Sequence, residues 1–250
     1  MGGENVGEPS WLGSMQYKQF IKRFVGEGLL GRLDYLRSAP EDRDWSGPFN
    51  GQSFRRDMFL AISKALDPSF VLETGTFRGV TTEFLARQFA LPVFSIESSR
   101  RNYGFACARL GRWKNVYLFH GDSVQTLRRL FEDEALPRGY GLFYLDAHWE
   151  QNLPLRDEVS AIFENLRSAV VVVDDFAVPD DPGYAYDDYG ESGSLTVSYL
   201  APVLSRFGLR CFFPNCHSSA ETGKKRGSCV LADAALSLRL GRLSQLREIS

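Results

Sequence analysis

The chain has 250 residues, 44% hydrophobic, 24% charged and 13% aromatic, too apolar and aromatic for a disordered polypeptide and long enough for one large domain or two small ones. Lysine and arginine number 29 against 31 aspartates and glutamates, a net charge of -2, so no overall field draws the protein to nucleic acid or to an anionic membrane. Cys107, Cys211, Cys216 and Cys229 form no CxxC pair, no apolar run approaches the roughly 18 residues of a membrane span, and MGGENVGEPS is no secretory leader. The expectation is a cytoplasmic protein with no nucleic-acid or membrane partner.

Residues 1–10 read as a polar tail. Tyr17, Phe20, Ile21, Phe24 and Val25 then recur at helical spacing and predict an amphipathic helix over 15–25, with a second short helix around Leu29 to Leu36. The stretch 38–52 carries two prolines and two glycines and reads as a loop. The division expected is therefore 1–50, a tail with helices, and 51–250, the main domain. The apolar face of the N-terminal helices is expected either to cover the active site or to pair with a second copy of the chain.

From Phe54 onward helices and short apolar strands alternate. Phe54, Met58, Ile62 and Leu66 step along a helix; strand-like runs follow at 69–74, 92–97, 115–119, 141–146 and 168–174. Between them lie helical patterns closed by Gly111, opened by Ser123 as N-cap, or opened behind Pro154. Uniformly apolar strands alternating with helices predict a doubly wound α/β fold, a mostly parallel sheet covered on both faces. After the fifth strand, a helix around Leu200, Val203, Leu204 and Phe207 leads to LRCFFP and, across a Gly/Lys/Arg turn, to SCVLAD. That hairpin spacing places an antiparallel strand near the C-terminus.

Ligands of such sheets bind at the carboxyl ends of the strands. The first strand ends in Glu73-Thr74-Gly75-Thr76-Phe77-Arg78-Gly79, an ExGxxxG turn and not the GxGxxG of a dinucleotide site. Its acid suits a ligand with a cationic end, and this argues against a dinucleotide-dependent oxidoreductase. Glu97 ends the second strand, followed by Ser98, where an acid accepts from ribose hydroxyls or caps the next helix. Asp122-Ser123 after the third strand meets an adenine amine or forms a turn and cap. Asp146 ends the fourth strand and Asp174-Asp175 the fifth. Poorly solvated carboxylates gathered there raise one another's pKa unless a cation compensates, and such oxygen ligands suit Mg²⁺. His148, just beyond Asp146, reads as a general base, a further ligand or a surface residue. The loop 176–190, rich in Asp, Tyr, Gly and Pro, is expected to fold over the sheet edge, with Tyr184, Tyr186 and Tyr189 facing an acceptor.

Together ETGTFRG, Glu97, GDS, FYLDAHW and VVVDDF resemble the motifs of class I S-adenosylmethionine-dependent methyltransferases, and within them the metal-dependent O-methyltransferases of the catechol and macrocin types, over about residues 50–232. The resemblance implies a seven-stranded sheet with one antiparallel strand. It also implies an S-adenosylmethionine site at Glu73, Thr74, Gly75, Gly79, Glu97, Ser98, Asp122 and Ser123, and Mg²⁺ on Asp146, Asp174 and Asp175. FNGQ, at 49–52, is implied to help close the cofactor site. The acceptor implied is a hydroxyl of a small molecule. The run LDAHWE departs from the catechol enzymes, with Glu150 where they carry a lysine base, so Asp146 and His148 are the expected catalytic pair. The rivals are a metal-free methyltransferase using Asp146 and His148 as base, and a protein that binds the cofactor without turnover.

Overall fold

A computed structural model describes residues 26–44, 46–148, 153–166, 168–190 and 193–248. The helix expected over 15–25, and Trp149 and Glu150, lie outside them. The five predicted strands are present as β1 (Phe70–Thr74), β2 (Val93–Glu97), β3 (Val116–His120), β4 (Gly141–Leu145) and β5 (Ala169–Asp174), each parallel to its neighbours in the order β3-β2-β1-β4-β5. Period-two alternation divides their side chains between two cores. Leu72, Phe143, Leu145, Val171 and Val173 enter one, Val71, Leu142, Tyr144, Val170 and Val172 the other. Both faces of β1, β2, β4 and β5 are therefore covered, which is why these strands read as continuous apolar runs, whereas the edge strand β3 leaves Tyr117 exposed.

The sheet has eight strands, not seven. β6 (Arg210–Pro214) and β7 (Ser228–Ala232) form the expected hairpin, β7 lies antiparallel to β5, and β8 (Leu246–Glu248) adds an antiparallel edge beside β6. With three residues and one buried apolar side chain, Leu246, β8 has no periodicity to read. Among the described helices none is long and apolar enough to cross a membrane.

The helices that position the site are α1 (Glu27–Arg37), α2 (Pro40–Arg43), α3 (Ser53–Leu66), α4 (Val80–Gln88), α5 (Arg100–Leu110), α6 (Ser123–Glu132), α7 (Leu155–Asn165), α8 (Val197–Phe207) and α9 (Ala234–Leu240). The predicted loop 38–52 holds α2 and a 3-10 turn, Pro48–Gly51, each with proline in its first turn, where the missing N–H costs nothing. On α6 the cap is Asp122, which accepts from the Gln125 N–H at 3.0 Å, one residue before the expected Ser123.

α1 packs on α5 through glycines. A Cβ on Gly31 would lie 1.9 Å from the Arg101 carbonyl oxygen, and one on Gly104 would lie 1.9 Å from that of Gly28. Both obstacles are backbone and cannot rotate away. Gly31→Ala is therefore expected to push α1 off α5 at a cost of about 1–3 kcal/mol, seen as faster amide exchange in both helices. Unchanged exchange there would contradict this packing.

Candidate active site

The tips of β3, β2, β1, β4 and β5 stand side by side along one edge. Gly75, at φ +84, begins the turn after β1, and a Cβ on it would meet the Asp146 carbonyl oxygen at 2.1 Å. Glycine is needed here because the tips of β1 and β4 touch, the Asp146 N–H donating to the Thr74 carbonyl at 3.0 Å. The same contact sets the glycine turn directly beside the first aspartate of the reactive half.

On the β1–β3 half, Glu73 is buried and accepts from Ser95 at 2.6 Å and from the Thr82 hydroxyl. Burial pushes its carboxyl up to about 7, against the pull of those two hydroxyls. Glu97 accepts from the N–H groups of Phe77 at 2.6 Å and Ser99 at 2.8 Å, and burial raises its pKa. The Asn102 side chain and the Ser98 N–H reach the same carboxylate as further donors. Ser98 is exposed and its carbonyl accepts from His120 at 3.1 Å; Gly79 stands at the N-cap of α4. Asp122 is exposed beside the buried Ser123. All eight residues of the implied cofactor site thus lie on the tips of three neighbouring strands or at the helix starts that follow them.

The Thr74 and Ser123 hydroxyls also flank Glu158 of α7, a fully buried acid whose oxygens close no hydrogen bond of full geometry. Burial raises its carboxyl to about 7, offset in part by those hydroxyls and reinforced by Asp122 and Asp157. Because the folded pKa exceeds the ordinary glutamate value of 4.5, the folded state keeps a proton that the unfolded chain has lost between about pH 4.5 and 7. Stability therefore falls as pH rises through that window, by on the order of 3 kcal/mol. Glu73 contributes with the same sign. Glu158→Gln is expected to match the parent at pH 5 and exceed it in urea melts at pH 8. An equal loss at both pH values would contradict the charge argument.

On the β4–β5 half, one atom each from Asp146, His148 and Asp175 lies within 4.8 Å of the others. The His148 side chain is 1% exposed, and neither ring nitrogen has a hydrogen-bond partner among the described residues. Its Nε2 stands 4.0 Å from Asp146 Oδ1, 3.9 Å from Asp175 Oδ2 and 3.8 Å from Asp187 Oδ2. Burial pushes its pKa down, against the pull of Asp175 and Asp187. Asp146 is held well above the usual carboxylate range by burial and by the Asp175 and Glu73 charges.

Asp174 does not join this group, contrary to expectation. Its Oδ1 accepts from the Arg55 guanidinium and from the Asp175 N–H at 2.7 Å; its Oδ2 accepts from the Tyr144 hydroxyl and from Asn50 Nδ2 at 3.2 Å. Successive side chains of a strand point to opposite faces, so a paired aspartate at a strand tip divides. Asp174 continues the Tyr144 side, while Asp175, in a left-handed conformation at φ +52, turns into the cluster.

Arg55, Arg226 and Asp187 escaped sequence reasoning. Arg55 of α3 is 2% exposed, and it donates also to the Arg226 and Gly227 carbonyls. Its signal was a charge four residues before Phe59, on the buried stripe of the helix. Arg226, before β7, pairs with Asp175 at 2.5 Å and with Asp187. The loop 176–190 does cross the edge, its Asp187 N–H donating to the Asp175 carbonyl at 2.9 Å. Of the expected tyrosines, Tyr184 is buried with its hydroxyl on the Cys216 carbonyl, Tyr189 donates to Asp187, and Tyr186 is exposed. The FNGQ segment braces this edge, Gln52 bonding both the N–H and the carbonyl of Arg226 at 2.8 and 2.9 Å.

The charges do not cancel. Four carboxylates, Asp146, Asp174, Asp175 and Asp187, meet the two guanidiniums that pair with them, Arg55 and Arg226, beside an imidazole whose lowered pKa favours its neutral form. With all four carboxylates ionised two negative charges remain, and the residues thus fit a divalent cation, which would balance them, favour the ionised form of Asp146 and give the imidazole nitrogen a partner.

No protein-family model and no curated protein matches the sequence. Solved structures do. An O-methyltransferase from Bacillus cereus, crystallised with SAH, is similar at TM-score 0.51 and 14% identity, over 91% of this chain and 92% of that one. The O-methyltransferase TomG from Streptomyces achromogenes, involved in tomaymycin synthesis and crystallised with SAM, is similar at TM-score 0.50 and 17% identity, over 87% and 96%. The methyltransferase domain of a bacterial CtHen1 reaches TM-score 0.52 at 17% identity, over 72% and 97%. The chain therefore shares the fold of these methyltransferase structures, an α/β sheet that is mostly parallel with antiparallel strands at its C-terminal end, here with eight strands.

Proposed function

We propose that the protein is an S-adenosylmethionine-dependent methyltransferase that modifies a hydroxyl of a small molecule with the help of a divalent cation. The observation that carries the reading is the division of one sheet edge. The implied cofactor residues stand on the β1–β3 tips, the acids and His148 on the β4–β5 side, and the Asp146 to Thr74 bond joins the two halves.

S-adenosylmethionine supplies a methyl group already activated on a sulfonium sulfur. What the chain must add is an acceptor oxygen held in line with that carbon, and a place for its proton as the carbon–oxygen bond forms and the carbon–sulfur bond breaks. Positioning alone is worth about 7–11 kcal/mol when the geometry is tight. Glu73, Glu97 and Asp122 would orient the cofactor through its amine, ribose and adenine. Asp146, next to the glycine turn, borders the space where the acceptor hydroxyl would lie. A cation held by Asp146, His148 and Asp175 would lower the pKa of that hydroxyl.

The raised pKa of Asp146, with His148 4.0 Å away, favours a second reading in which these two residues take the proton without a metal. The test is methyl transfer from labelled S-adenosylmethionine across a panel of phenolic and sugar hydroxyls, before and after chelation. Transfer lost with chelator and restored by a divalent ion supports the first reading; transfer that survives chelation supports the second. A thermal shift with NAD and none with S-adenosylmethionine would overturn both.

A further inference from the structure

We infer that the cation site is a mixed nitrogen–oxygen site for a divalent transition ion of the cobalt or zinc kind, held by Asp146, His148 and Asp175 with Asp187 in reach, and that Asp174 is not among its ligands. The inference rests on the cation in the proposed function but not on methyl transfer. It departs from the all-carboxylate Mg²⁺ site that the sequence resemblance implies.

The first support is His148 itself. Its side chain is 1% exposed, yet neither nitrogen has a hydrogen-bond partner among the described residues. Leaving a buried polar atom unpaired costs about 1–3 kcal/mol, so a partner is expected at Nε2.

The second is spacing. The Nε2 distances of 3.8, 3.9 and 4.0 Å to Asp187, Asp175 and Asp146 are too long for hydrogen bonds. Two ligands of one ion, each at about 2.1 Å, stand no more than about 4.2 Å apart. The three gaps fall inside that limit.

The third is lone-pair accounting. A carboxylate has about four acceptor positions. On Asp174 all four are filled, by Arg55, the Asp175 N–H, Tyr144 and Asn50. Asp175 by contrast gives Oδ1 to Arg226 and turns Oδ2 toward His148. Asp187 gives Oδ1 to Arg226 and faces His148 with Oδ2, which carries one bond from Tyr189. Arg226 thus holds two acids by their outer oxygens and leaves the inner ones directed at the imidazole.

An imidazole in the set shifts the preference away from Mg²⁺, which takes oxygen ligands, toward ions that accept nitrogen. Chelator-stripped protein, without S-adenosylmethionine, is titrated by calorimetry with Co²⁺, Zn²⁺ and Mg²⁺ in turn. Co²⁺ and Zn²⁺ are expected to bind at least about tenfold more tightly than Mg²⁺, and bound Co²⁺ to show visible absorption. His148→Ala and the near-isosteric His148→Gln should each weaken Co²⁺ by about tenfold or more, with a smaller change for Mg²⁺. The double variant Arg55→Gln/Asp174→Asn, which removes the buried pair together, should keep Co²⁺ affinity. Thermal melts confirm that each variant is folded. Mg²⁺ bound as tightly as Co²⁺, Co²⁺ affinity indifferent to both His148 variants, or loss of Co²⁺ binding in the folded double variant would overturn the inference. S-adenosylmethionine binding to the same stripped protein is scored separately. Cofactor binding without transition-ion preference sinks only this proposal; the preference without cofactor binding sinks only the methyltransferase.

Discussion

Arg55→Leu is expected to destabilise the protein by about 3–5 kcal/mol, the usual consequence of stranding one partner of a buried ion pair. The guanidinium is 2% exposed and its partner Asp174 is 0% exposed, so water cannot replace what is lost. Asp174 would keep Tyr144 and Asn50 as donors but no compensating charge, and the Arg226 and Gly227 carbonyls would each lose a donor. In a chain of this length the melting temperature should drop by on the order of 10 °C. Adding Asp174→Asn removes the stranded charge, and the double variant should regain part of the loss. If Arg55→Leu melts with the parent, or the second substitution worsens it, the pair is not the anchor between α3 and the β5 tip that the structure shows.

In chelator-stripped protein Asp146→Asn should do the reverse and raise stability, while with the ion present it should lower turnover. The Asp146 carboxyl is held above its ordinary pKa by burial and by the Asp175 and Glu73 charges, so its ionised form works against folding at neutral pH. The uncharged amide removes that repulsion. The same carboxylate borders the acceptor space in the proposed reaction, and losing it should slow methyl transfer by about 100- to 10,000-fold. Cofactor affinity should stay within the same order of magnitude, since the implied cofactor residues lie on other strands. Single-turnover transfer with the ion present and urea melts of the chelator-stripped protein test both halves. Lost stability with unchanged turnover would make Asp146 a structural residue.

The strands were legible because burial on both faces removes polar positions, leaving runs such as VVVVD that read in no other way. The ends of helices were legible where the capping chemistry is local, at Gly111 and, within one residue, at Asp122. β8 was not, having three residues and one apolar side chain. The site was legible as a set of strand tips, because topology alone brings residues 73–79, 97–98, 122–123, 146 and 174–175 to one edge. What a side chain does at that edge depends on partners distant in sequence. Asp174 and Asp175 look equivalent in the sequence, yet one is captured by Arg55, 119 positions away, and the other by Arg226, 51 positions away. Asp187 joins through a loop with no regular period, and His148 matters because three segments converge on it without touching it.

The most direct test of the account is a crystal structure of the protein with S-adenosylhomocysteine. The ribose hydroxyls should lie on Glu97, the adenine near Asp122 and Ser123, and the sulfur should face the space between Asp146 and His148. A nucleoside bound away from the β1–β3 tips, or a sulfur facing away from Asp146, would contradict it.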